Sequence, residues 1–215
     1  MTRRFRRLAI LLALAIASTI LLGQARDAAS ALRPPKGSNV ALVVFEDLQC
    51  PDCARAAPLV EEAGRKYRIP IVRYNFPLPQ HNWAFDAAVL AEYFESKSPE
   101  LGTQFREFIF KNQPQITPGN LRSFAERFAQ EHNTGLPFVL DPQGKLADSV
   151  KQDRALGQRI PIEHTPTIYV VTNARSGQPF VEVVDRSQLF QLIEQAKAEA
   201  DNATPSTAAK RKPSK

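Results

Sequence analysis

Two cysteines, Cys50 and Cys53, constrain this chain more than any other feature. They stand two residues apart, between a short valine-rich apolar run and a long helix-forming run. No other cysteine occurs among the 215 residues. Joining the two would close a very short loop, which restricts the unfolded chain little. A structural disulfide framework uses more cysteines and spans longer loops. The pair is therefore suited to reacting rather than to stapling. A metal site is the competing use of two thiols, and it requires further ligands. The histidines are His81, His132 and His164, and none is spaced as a second ligand pair.

The residues around the pair predict its local structure. Residues 40–45 are apolar and rich in valine, as in a buried strand. Residues 46–49 then read as a loop. A helix is expected from the cysteines to Tyr67, with Pro51 in its first turn and Pro58 in its interior, where a kink is expected. Residues 69–76 read as a second strand, ended by Pro77 and Pro79. In the helical section that follows, Trp83, Ala87, Leu90 and Phe94 share a face. So do Phe105, Phe108 and Ile109, and Leu121, Phe124, Ala125 and Phe128. These aromatic stripes are expected to pack as core. A less regular helix over 145–157 follows the turn at 141–144. Strands at 167–172 and 179–184, joined by a turn at 173–177, make a hairpin. Leu189, Leu192, Ile193 and Ala196 mark a last amphipathic helix.

The two ends differ from the middle. Residues 2–7 are arginine-rich, residues 8–22 are almost purely apolar, and small residues follow at 23 and 25. This is the plan of a secretory signal peptide, and an uncleaved N-terminal anchor is the alternative. Either one exports the rest of the chain, so the expected location is periplasmic or otherwise extracytoplasmic. Residues 26–38 read as a linker, 39–200 as one domain with a helical insert over about 80–157, and 201–215 as a disordered basic tail. The formal net charge is +6. Without Arg3, Arg4, Arg6 and Arg7 it is +2, and without Lys210, Arg211, Lys212 and Lys215 as well it is −2. The basic character belongs to the ends, which argues against a nucleic-acid partner.

The predicted order is strand, helix, strand, helical section, strand, strand, helix. It resembles an α/β thioredoxin fold, a mixed central sheet flanked by helices, with a helical insertion between its two halves. Phe45, Asp47, Cys50-Pro51-Asp52-Cys53, Phe76-Pro77-Leu78, His81 and Thr165-Pro166-Thr167 together resemble the DsbA-like thiol:disulfide oxidoreductases of the thioredoxin superfamily. The resemblance covers roughly residues 38–198. It implies disulfide exchange with cysteine-containing exported proteins, with no cofactor beyond the Cys50–Cys53 disulfide. It also implies a monomer reoxidised by a membrane partner of the DsbB or vitamin-K-epoxide-reductase type. Pro166 would be a cis-proline facing the cysteines, and the Thr165 backbone would pair with an extended substrate. An ordinary trans proline opening a strand is the alternative. The most direct role is disulfide donor. A reductase or isomerase, and a non-catalytic peptide- or metal-binding protein, are the other readings.

Elementary chemistry assigns roles within the pair. At a helix N-terminus, unpaired N–H groups and the helix dipole favour a thiolate, so Cys50 is the expected nucleophile, exposed to its substrate. Cys53, one turn along and more buried, is the expected resolving thiol. Pro51 and Asp52 tune them. The prototype oxidant of the family carries histidine where this chain has Asp52. A carboxylate there repels a thiolate, so a weaker oxidant is expected. Family members also commonly carry a buried acid six residues before the first cysteine, where this chain has Val44. Glu46 is then the candidate proton relay. His164 is expected to be a loop residue, and the short approach to residue 40 leaves no room for the family's extra leading strand.

Overall fold

The computed structural model describes residues 29–174 and 179–203. Val40–Glu46 (β1) is buried along its whole length, as its unbroken apolar run requires. It has a parallel neighbour in Ile71–Asn75 (β2) and an antiparallel one in Thr167–Thr172 (β3), which in turn pairs antiparallel with Phe180–Glu182 (β4). The sheet order is β2-β1-β3-β4.

Alternate residues of β1 serve two cores. Val40, Leu42 and Val44 pack with Ala56, Val60 and Ala63 of helix α1 (Pro51–Tyr67) and with Leu189, Ile193 and Ala196 of the last helix. Ala41, Val43 and Phe45 pack on the other side with Phe76, Ile162, Tyr169 and Val171. Helix α1 runs through Pro58 as one element and ends at Arg68, whose φ of 51° lets Ile69 N donate to the Gly64 carbonyl.

The insert comprises α2 (Ala84–Glu95), α3 (Pro99–Asn112), α4 (Leu121–Glu131) and α5 (Lys145–Arg159). Ser98 caps α3 by accepting from Leu101 N at 3.0 Å, with Pro99 at the first helical position. The aromatic stripes do form a core. Phe94, Phe105 and Phe128 are fully buried, with ring centroids 4.5–5.1 Å apart. Leu48, Cys50 and Cys53 lie at the edge of the same cluster. The cysteine pair therefore sits on the seam between the sheet domain and its insert.

Several boundaries differ from expectation. Glu46 continues β1 rather than opening the loop, because it still pairs with Asn75. β2 and β4 are shorter than predicted, and the turn joining β3 to β4 lies partly outside the described residues. Ala31 and Leu32, inside the expected linker, are buried, and Leu32 packs against β1 and β3. The last helix, α6 (Leu189–Ala203), runs three residues into the expected tail. Ala200 is only 6% exposed, so burial carries the helix another turn. The apolar segment near the N-terminus and the tail from 204 lie outside the described residues. Among the described residues no helix is long and apolar enough to cross a membrane.

Candidate active site

The site is built by the direction of two strands. β1 runs up to Glu46 and delivers the chain into a turn, where Cys50 N donates to the Asp47 carbonyl at 3.0 Å. β3 runs antiparallel, so its first residue, Thr167, stands opposite Phe45 at the same sheet end. Residues 122 positions apart in sequence thereby meet, and the Thr165–Pro166 peptide bond is cis. Cys50 is the residue before the helix and Pro51 is its first residue, so Cys50 stands at the helix end that carries unpaired N–H groups.

Both cysteines are free thiols. Cys50 Sγ lies 3.3 Å from the Thr165 carbonyl oxygen, and Cys53 Sγ accepts from Asp47 N at 3.4 Å. Cys53 is 2% exposed, deeper than Cys50 as expected, but Cys50 itself is only 7% exposed. Access to Cys50 is narrower than a helix terminus alone implies, because the Thr165 loop covers it.

The two thiols are driven apart. The Cys50 pKa is lowered from the ordinary 9.0 to about 5, first by the hydrogen bond from Cys53. The Thr165 side chain and the backbone N–H groups of Cys53 and Asp52 add to this, against burial, which raises it. The Thr165 hydroxyl itself is buried with no partner at hydrogen-bond distance and geometry. Cys53 is pushed strongly up, chiefly by burial, then by its hydrogen bond to Cys50 and the negative charges of Cys50 and Glu46.

The supporting shell is polar and buried. The Asp47 carboxylate is 1% exposed and organises the loop. It accepts from Gln49 N and Leu78 N, both at 2.7 Å, and lies 2.7 Å from His81 Nδ1. Gln113, in the 3-10 turn after α3, donates to the Leu48 and Cys50 carbonyls at 2.8 and 3.1 Å. Glu46 is held by Arg106 at 3.0 Å and by Arg73 at 3.7 Å. It lines, with Cys53, Glu61, Arg73, Arg106 and Pro166, a cavity of about 10 Å³, room for roughly one water. Glu61, which burial pushes up in pKa, also lines an open groove between α1 and α3.

Asp52 departs from the sequence expectation. It is not a bare charge beside the thiolate, because Arg186 foremost, and Arg55 with it, bind its carboxylate and hold its pKa below the usual range. His164 is a loop residue, with Nε2 3.8 Å from Glu182 and its side chain 66% exposed. His81 is drawn to Asp47, and His132 stacks on Phe128 with ring centroids 4.0 Å apart. Among the described residues no three His, Cys, Asp or Glu side chains are grouped to hold a metal. Sequence reasoning missed Arg106, Gln113, Glu61 and Arg186. Only Arg106 left a signal, an arginine four residues after Gly102 on the buried face of α3.

A family model described as Thioredoxin matches residues 36–186. Among solved structures, alpha-DsbA1 of Wolbachia pipientis aligns with a TM-score of 0.64 at 17% identity, over 79% of this chain and 92% of that one. The thiol-disulfide exchange protein alpha-DsbA2 of the same organism gives 0.59 at 15%, over 80% and 97%. A periplasmic thioredoxin-like protein of Salmonella enterica serovar Typhimurium gives 0.62 at 18%, over 80% and 96%. In sequence, the chain is 27% identical over 159 residues to the Na(+)/H(+) antiporter NhaA 3 of Salinispora tropica. The match takes in 71% of this chain but only 23% of that relative's length. With a family model matched over most of its length and a DsbA-like arrangement of sheet and helical insert, the chain belongs to the thioredoxin family.

Proposed function

We propose that this protein is an exported thiol:disulfide oxidoreductase that donates its Cys50–Cys53 disulfide to cysteine-containing proteins. One observation carries the reading: Cys50 Sγ lies at the helix N-terminus, 3.3 Å from the Thr165 carbonyl beside Pro166. In the donor direction, a substrate thiolate attacks Cys50 Sγ of the disulfide. The S–S bond breaks and Cys53 leaves as a thiolate. It takes up a proton readily, because burial favours its neutral form. A second substrate thiolate then attacks the substrate sulfur of the mixed disulfide, and Cys50 leaves as a thiolate. The substrate gains a disulfide, and the two electrons remain on the Cys50–Cys53 dithiol. A leaving group titrating at about 5 departs easily, which supports the donor direction over the reductive one.

The Thr165 backbone holds the extended substrate, and Pro51 and Asp52 tune the pair. Glu46 relays the Cys53 proton across the small shared cavity. No cofactor beyond the disulfide enters, and the protein acts as a monomer. A quinone-linked membrane partner of the DsbB or vitamin-K-epoxide-reductase type restores the disulfide. The apolar N-terminal segment, cleaved or kept as an anchor, supports a periplasmic or other extracytoplasmic location.

The test uses the oxidised protein and a reduced, unfolded cysteine-containing substrate. The wild type is expected to form native disulfides and Cys50→Ala none. Cys53→Ala, loaded with a mixed disulfide, is expected to pass it on without resolving it internally. A protein that fails here but reduces insulin disulfides would be a reductase. Failure in both assays would leave a binding protein.

A further inference from the structure

Asp52 stands between the cysteines, in the first turn of α1, where a free carboxylate opposes a thiolate on Cys50. Both of its oxygens are bound. Oδ1 accepts from Arg55 Nη2 at 3.0 Å, one turn along the same helix, and Oδ2 accepts from Arg186 Nη2. Arg55 is largely solvated, its side chain 67% exposed, whereas that of Arg186 is 34% exposed. Arg186 is also held by the fold. Val183 N donates to the Ile168 carbonyl at 2.8 Å, which fastens the segment to β3 two residues beyond Pro166. Asp185 then caps the 3-10 turn Arg186–Gln188 by accepting from Ser187 N and Oγ at 2.9 and 2.8 Å. Fully buried Leu189 opens α6 directly after it. Nearby in sequence, Asp185 is engaged with Ser187, and His164 Nε2 lies 3.8 Å from Glu182.

We propose that Arg186 is a positioning residue of the redox pair: by holding the Asp52 carboxylate, it cancels the negative charge that the sequence sets between the two cysteines. Cys50 then keeps the benefit of its N–H donors without an opposing neighbour. A residue 134 positions away thus sets the oxidising strength of the disulfide. The inference takes Cys50 and Cys53 as the redox pair, as proposed above. Its readout is the titration of a thiol, which requires no turnover.

The experiment follows the ultraviolet absorbance of the Cys50 thiolate against pH in the reduced full-length protein. Wild type is compared with Arg186→Ala, Arg186→Lys, Asp52→Asn and the Asp52→Asn/Arg186→Ala double variant. Arg186→Ala is expected to move the midpoint up by about half a pH unit, roughly a threefold change in the ionisation constant. Arg186→Lys is expected to restore most of it. The same loss in the Asp52→Asn background is expected to move the midpoint less than half as far. The glutathione equilibrium of Arg186→Ala is expected to shift about threefold toward a weaker oxidant. An unmoved midpoint in Arg186→Ala overturns the proposal. So does an equal rise in both backgrounds, which would mean that Arg186 acts without Asp52. A protein inert toward substrates but showing this coupling would lose the proposed function and keep this inference. A competent donor with a silent Arg186 would do the reverse.

Discussion

At the level of single residues, Cys50 and Cys53 have the same chemistry and opposite surroundings. Cys50 gathers donors, from Cys53, Thr165 and the first-turn N–H groups, so its charged form is favoured. Cys53 is buried against the Glu46 charge, so its neutral form is favoured. In the reduced protein, alkylation of Cys50 is therefore expected to stay fast from neutral pH down to about pH 6 and to halve near 5. A rate that instead rose tenfold per pH unit up to pH 8 would contradict this site. Stability follows the same sign. A thiol whose folded pKa lies below its unfolded value contributes stability fully above the unfolded 9.0, and loses it as pH falls toward about 5. Denaturation of the reduced protein, measured against the oxidised one, is expected to show that slope, at most about 1.4 kcal/mol per pH unit. The spacing of the cysteines announced reactivity in the sequence, and Pro51 announced the helix start. The Arg186 partner of Asp52 was not legible there, because it comes from a turn far away in sequence.

At the level of elements, α5 illustrates how closely the insert must seat on the sheet domain. A Cβ at Gly157 would stand 2.5 Å from the Phe76 ring and 3.3 Å from Phe45 Cδ1. Phe76 precedes the Pro77-Leu78 segment that Asp47 fixes, and Phe45 is two residues before Asp47 itself. Gly157→Ala is therefore expected to cost about 1–3 kcal/mol, read as a lower denaturant midpoint with unchanged slope. A stability within about 0.5 kcal/mol of wild type would show that the helix can shift away freely. The element types were readable from periodicity: β1 from its apolar run, the helices from their aromatic stripes. The boundaries at Glu46, Leu32 and Ala200 were not, because each is extended by a partner that only the folded chain supplies.

At the level of the whole molecule, Arg106 joins the two parts. It is 3% exposed on α3 of the insert, yet it donates to Glu46 of β1 and to Asn75 Oδ1 of β2, and pairs with Glu95 of α2 at 3.4 Å. Removing it leaves buried Glu46 without its nearest cation, with Glu92 and Glu95 close by. Arg106→Ala is expected to destabilise the protein by about 3–5 kcal/mol, measured by chemical denaturation. Loss of one cooperative transition in favour of two would mark Arg106 as the tie between the insert and the sheet domain. A loss below 1 kcal/mol would mean that the acids find other partners.

From the sequence alone one could read which cysteines are suited to react and what kind of elements carry them, because cysteine spacing, proline position and apolar periodicity act over one or two turns of chain. The sequence also determined that the aromatic stripes would be core. Only the tertiary structure decided the electrostatics of the pair. The Cys50 surroundings are assembled from α1, the Thr165 loop and the turn before α6, and charge acts through space. Asp52 reads in sequence as a carboxylate opposing a thiolate, and in the folded protein as one half of an ion pair with Arg186.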